Sequence, residues 1–209
     1  LIGEDSKILC VNKKSDDPYS IAIKKNPLIE NNEKLATFNH IQNFISRNRT
    51  QISNTLFSFP YPGWDVFCQE AITSADIINL HWVAEYQSPI TIQNLIATGK
   101  PIVWTLHDEW AYTGGCHYTS GCEGFKSSCY PCKQIEHDWF RFASSALYDK
   151  LELWKDHKIT IVSPSKWLAN EARKSKIFSD SRIEVIANSI ETEVFYPTPK
   201  KKAKKNLQL

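Results

Sequence analysis

Apolar residues recur along the chain in short, nearly unbroken runs. Five stand out: residues 7–12 ("KILCVN"), 75–83 ("ADIINLHWV"), 100–108 ("KPIVWTLHD"), 158–165 ("KITIVSPS") and 182–189 ("RIEVIANS"). Because they are apolar almost throughout and do not alternate, they predict strands covered on both faces, as in a parallel sheet. The segments between them suit helices. Residues 33–47 set Leu35, Phe38, Ile41, Phe44 and Ile45 at helical spacing, and a second helix is expected over 88–98, where Gly99 stops it. A third helical region covers 135–154. A fourth starts at Ser165, whose hydroxyl can cap free backbone N–H groups. Strands alternating with helices predict an α/β fold, a Rossmann-like doubly wound parallel sheet.

Ligands of such sheets bind in the crevice beyond the carboxyl ends of the strands, so the polar residues that follow each strand carry the interest. These are His81 and Trp82, His107 and Asp108, Ser163 and Ser165, and Asn188 and Ser189. Ser163 and Ser165 read as a strand end and a helix cap. No motif supplies either with a histidine partner, so a hydrolase triad is rejected. No glycine-rich phosphate loop follows any strand, so the residues give no sign of nucleotide binding.

Composition narrows the classes further. With 209 residues, 42% of them hydrophobic and 23% charged, the chain falls among globular proteins. Its apolar runs are far shorter than the roughly 18–20 residues of a membrane span. A formal charge of +2 argues against nucleic acid as a partner, and the lysine-rich run 200–205 reads as a solvated helix face or tail. There is no methionine, and Leu1 opens no signal peptide, so the chain is expected to be an internal piece of a longer protein.

Four of the six cysteines fall in one loop, spaced Cys116-x5-Cys122-x6-Cys129-x2-Cys132. The closing C-x2-C suits two thiolates on a tetrahedral ion, while the first pair is looser than zinc sites usually show. Structural zinc, disulfides and reduced packing cysteines all fit this spacing. Zinc gains because residues 114–131 are rich in glycine and serine and hold little core of their own. His117 is the spare ligand.

Taken together, "ADIINLHWV", "GKPIVWTLHDEWAYTGGCHY", "ITIVSPSKWLA" and "IEVIANSIETEVFYP" resemble, in order, the N-terminal half of retaining glycosyltransferases of the GT-B fold, family 4 type. The branch most similar is that of colanic-acid and other exopolysaccharide glycosyltransferases. The resemblance implies an incomplete acceptor-side domain over 1–196, lacking its first strand and loop. Residues 197–209 would be the linker and the start of a missing C-terminal domain that grips the nucleotide-sugar. It implies a catalytic role for His107 beside the donor sugar, against the plainer reading of a histidine that bonds loop backbone. Asp108, Trp110, His81 and Trp82 become candidate substrate contacts, with capping and packing as their ordinary alternatives. The implied acceptor is a sugar or lipid-linked oligosaccharide, and the implied place is the cytoplasm, at the inner face of the membrane. Ser189 and Glu191 depart from the family's usual glycine and aspartate. The rival reading is a non-catalytic, zinc-stabilised α/β binding or scaffold module.

Overall fold

The computed structural model describes residues 5–24, 32–52 and 55–207. Near its start, β1 (Ile8–Cys10) and β2 (Ser20–Ala22) form a parallel ladder in which Ile8 faces Ser20. The main sheet consists of β3 (Ile78–His81), β4 (Ile102–Thr105), β5 (Thr160–Ser163) and β6 (Ile183–Val185), parallel and side by side in that order. Each of the five apolar runs therefore contains a strand. The first run, however, pairs with β2 and not with the main sheet. The hydrophobic pattern does not mark β2, because three residues headed by a serine are too short to show a period.

The helices are α1 (Asn32–Arg47), α2 (Glu70–Thr73), α3 (Pro89–Ile96), α4 (Phe142–Trp154), α5 (Lys166–Lys174) and α6 (Lys200–Asn206). An order of strands that runs one way sends right-handed crossovers to one face of the sheet. On the crossover side, α3 and α4 pack together, and the Trp154 indole donates to the Pro89 carbonyl at 3.0 Å. The helix starts follow local chemistry. Ser88 accepts from Thr91 N at 3.2 Å while Thr91 Oγ1 accepts from Ser88 N at 2.8 Å, a reciprocal cap ahead of Pro89. Ser165 accepts from Leu168 N at 3.2 Å and caps α5, as expected.

The third helix is shorter than its sequence pattern suggests, starting at Phe142 and not near Ile135. Backbone at 134–136 bonds instead to the chain just after α1: Thr50 N donates to Gln134 O, and Glu136 N to Asn48 O. Asp138 then accepts from Phe142 N at 2.7 Å and opens the helix.

Trp104 of β4 occupies the middle of the main core, with ring centroids 5.6 Å from Trp154, 6.2 Å from Phe178 and 6.4 Å from Trp110. Ile161, Leu80, Ile92, Leu95 and Leu168 fill the space around it. A second, smaller core joins Ile45 of α1 to Phe57, Ile135 and Ala143, with Cys116, Cys129 and Cys132 packed on it. Two adjacent glycines make this junction possible. A Cβ on Gly114 would stand 2.2 Å from the Ala143 carbonyl oxygen, and Gly115, at φ +132°, lies against the Phe57 ring.

Ile161 is fully buried on an inner strand, whereas Ile186 just past β6 is exposed. Ile161→Ala is expected to lower unfolding free energy by about 2–5 kcal/mol. Ile186→Ala should stay within about 0.5 kcal/mol. Urea unfolding of the two variants measures the contrast, and equal losses would mean that this sheet is not the core.

Candidate functional site

Parallel pairing puts the carboxyl ends of β3 and β4 side by side, with His81 opposite Thr105. Two residues beyond Thr105, His107 turns back toward β3, and its Nε2 lies 3.0 Å from His81 Nδ1. One of these nitrogens donates and the other accepts. Burial first, and the facing His107 second, hold His81 below the usual histidine range.

Just past β3 the chain turns sharply. Trp82 takes a left-handed backbone with φ 37° and Glu85 does so with φ 71°. For a bulky residue that conformation is strained, and such strain concentrates at functional sites. Here it swings the Trp82 ring out, 45% exposed, to within 5.8 Å of the His117 ring.

Asp108 serves two partners. Its Oδ1 accepts from Trp110 N at 2.9 Å, at the start of the turn Trp110–Tyr112, while Oδ2 meets His117 Nδ1 at 2.6 Å. His117 Nε2 in turn lies 2.9 Å from Ser58 Oγ, which also reaches Glu85 Oε1 at 3.2 Å. The hydroxyl has one proton to give, to the carboxylate or to the imidazole. The backbone sets this row in place, since Ser58 N donates to Gly115 O and His117 N to Leu56 O. Asp108 therefore orients His117 and not His107. His117, with both ring nitrogens engaged, is committed to this row and is not held in reserve for a metal.

Beside these groups lies an open cleft of about 550 Å³, lined by Thr55, Leu56, Trp82, His107, Asp108, His117 and Tyr118. The predicted His81, Trp82, His107 and Asp108 thus gather at neighbouring strand ends. Trp110 stands behind them, only 2% exposed, its indole donating to Ser58 O at 2.9 Å. It braces the cleft from inside the core, as does the fully buried Tyr112. Ser58 and Glu85 were not marked by the sequence, because nothing in "SFPYP" or "VAEYQ" signals that the fold brings them to His117.

The loop beyond is held from below. Glu109, pushed up by burial, accepts from Thr119 N at 2.6 Å and from the Tyr112 hydroxyl at 3.1 Å. Lys150 of α4, fully buried, donates to the carbonyls of Trp110 and Thr113 and sits 3.9 Å over the Trp110 ring. Burial lowers it to about 7. All six cysteines are free thiols, and burial raises those of Cys116, Cys129 and Cys132, the last to about 11.

The buried row Asp108–His117–Ser58 should behave as one unit. Ser58→Ala and His117→Ala are each expected to destabilise the fold, and the double variant to show a coupling of about 0.5–3 kcal/mol in a double-mutant cycle. Strictly additive losses in urea unfolding would show that the two side chains act separately.

No family model matches this chain, and no solved structure matches it. Among curated proteins, the "Putative colanic acid biosynthesis glycosyl transferase WcaC" of Escherichia coli strain K12 is 27% identical over 124 residues. The match covers 55% of this chain and 30% of that protein, so it spans under a third of the relative's length. The similarity is thus to a protein described as a glycosyl transferase, and it belongs to a chain whose α/β fold carries an open cleft at its strand ends.

Proposed function

We propose that this chain is the acceptor-side, N-terminal part of a retaining glycosyltransferase of the GT-B type. It would transfer a hexose from a nucleotide-sugar to a polysaccharide or lipid-linked acceptor at the cytoplasmic membrane face. The observation that carries the reading is the pair His81 and His107, set at adjoining strand ends beside the cleft, in a chain similar to a glycosyl transferase. On this reading, residues 1–196 receive the acceptor, and a further domain beginning in 197–209 binds the donor. Ile186, Ile190, Val194, Phe195 and Tyr196 all expose apolar side chains, which supports a neighbour covering that segment. Among the described residues no helix is long and apolar enough to cross a membrane, so attachment to one would be peripheral.

In a retaining transfer of this kind the acceptor hydroxyl attacks the anomeric carbon from the face the leaving group occupies. The bond to the donor phosphate breaks as the new glycosidic bond forms, and the departing phosphate takes the hydroxyl proton. The protein supplies position and charge stabilisation, with no covalent nucleophile. His107, held by His81, can set its ring against the positive charge that grows at the anomeric carbon. Trp82 would offer a sugar its exposed ring, and Asp108 the edge of its carboxylate.

In the full-length protein, His107→Ala is expected to lower kcat by about 10². The isolated 209-residue chain is expected to transfer no sugar. An unchanged kcat would return His107 to loop bonding, and absence of any transferase activity in the full-length protein would favour a binding module. Since His81 lies below the usual histidine value of about 6.5, the acid limb of kcat/KM is expected below that pH. A limb above it would remove the histidine pair from the mechanism.

A further inference from the structure

Charge is unevenly spread along this chain. Lys200, Lys201, Lys202, Lys204 and Lys205 carry five positive charges, and no acidic residue lies in 197–209. The whole chain has a formal charge of +2, so all its other residues together sum to −3 (2 minus 5). The five lysines sit on α6, where every one of them is exposed. Other helical and turn lysines are matched: Lys126, Lys155 and Lys174 each meet a glutamate three residues earlier, Glu123, Glu152 and Glu171. Among the described residues, none of the α6 lysines has an acidic partner.

Such a helix works against itself. Lys200 and Lys204, like Lys201 and Lys205, stand one turn apart on the same side, and like charges at that spacing repel. Lys200, Lys201 and Lys202 occupy the first turn, which the helix dipole favours for acids, and no acid is there. A negatively charged surface lying along the helix offsets both costs. The helix also carries an apolar edge: Leu207 N donates to the Ala203 carbonyl at 3.1 Å, which places the two side chains on one side, and Leu207 is 68% exposed. At about 100° per residue, Lys200 and Lys204 border that side. Leucine beside lysines suits the boundary between lipid headgroups and acyl chains, where the apolar side chain sinks and the long lysine stems reach back to the phosphates. Nucleic acid would use the charge and leave the leucine without a partner. One small anion would need donors converging on a point, whereas these five are set round the helix.

We propose that α6 is a membrane-contact helix, binding the anionic headgroups of a bilayer through Lys200, Lys201, Lys202, Lys204 and Lys205 with Leu207 seated between them. This contact goes beyond glycosyl transfer and does not depend on it.

Full-length protein should sediment with vesicles of equimolar phosphatidylcholine and phosphatidylglycerol, and stay in solution with vesicles of phosphatidylcholine alone. Binding should be lost at about 1 M salt, where the screening length falls to about 3 Å. Lys201→Gln with Lys205→Gln should weaken it by about 10- to 30-fold, and glutamine at all five positions should abolish it. Leu207→Ala should weaken it by about 5- to 10-fold. These side chains are exposed, so each variant should unfold at the same urea concentration as the wild type. Equal binding to both kinds of vesicle, binding that survives loss of all five lysines, or no binding to either would overturn the proposal. Polyuridylate that displaces the protein from the vesicles and binds it equally well after Leu207→Ala would give the surface to nucleic acid instead. Vesicle binding is read without sugar transfer, so an inactive protein does not alter the outcome, and failure here leaves the transfer reading standing.

Discussion

The ammonium of Lys150 holds the loop after β4 in place. Its stem is fully enclosed among core residues, and its charge spans the turn Trp110–Tyr112 by taking the carbonyls at Trp110 and Thr113. Within so short a turn the Trp110 carbonyl accepts only a long bond, from Thr113 N at 3.4 Å, and a buried carbonyl without a good donor is costly. Lys150 meets that need from α4, and the Trp110 ring face below adds a cation–π contact. The desolvation it suffers lowers it to about 7, so the contact is sensitive to nearby negative charge. Through Trp110 the restraint passes to Ser58 and Asp108, which both bond that residue.

The site then divides into a rigid and an open part. Asp108, His117 and Ser58 form a buried row in which every side-chain polar atom is engaged by a neighbour, and such rows fix geometry because leaving any member unpaired is expensive. His107 and Trp82 sit at the edge of this row and line the cleft, with His81 bonded to His107. The left-handed backbone at Trp82 stores strain that the strand and the buried row together sustain. Preorganised groups behind and reachable groups in front are what a site built on positioning needs.

Close packing explains the glycines and cysteines of the same loop. Gly114 and Gly115 let it pass between the Ala143 carbonyl and the Phe57 ring, where any side chain would collide. Small sulfur side chains then pack on the small core that joins Ile45 of α1 to Ala143 of α4. Loop, helix and cleft are thereby mechanically joined.

The strands of the main sheet, β1 and most helices were legible from the chain alone, because burial on both faces leaves unbroken apolar runs and a cap such as Ser165 acts within four residues. Adjacency of His81, Trp82, His107 and Asp108 followed from the same logic, since parallel strands align their carboxyl ends. What sequence order could not convey was contact across long separations. Residues 134–136 gave up helix for pairing with the chain after α1, and β1 took β2 as its partner. Asp108 turned to His117 and not to His107 because the strand-like pairing of 56–58 with 115–117 delivers Ser58 and His117 to its other side. Trp110 went inward for a similar reason: its indole found the Ser58 carbonyl and its ring found Lys150, neither of which is near it in the chain. Local chemistry determined which elements form, and the packing of distant segments decided which side chains reach the cleft, because burial and pairing reward contacts that no short stretch contains.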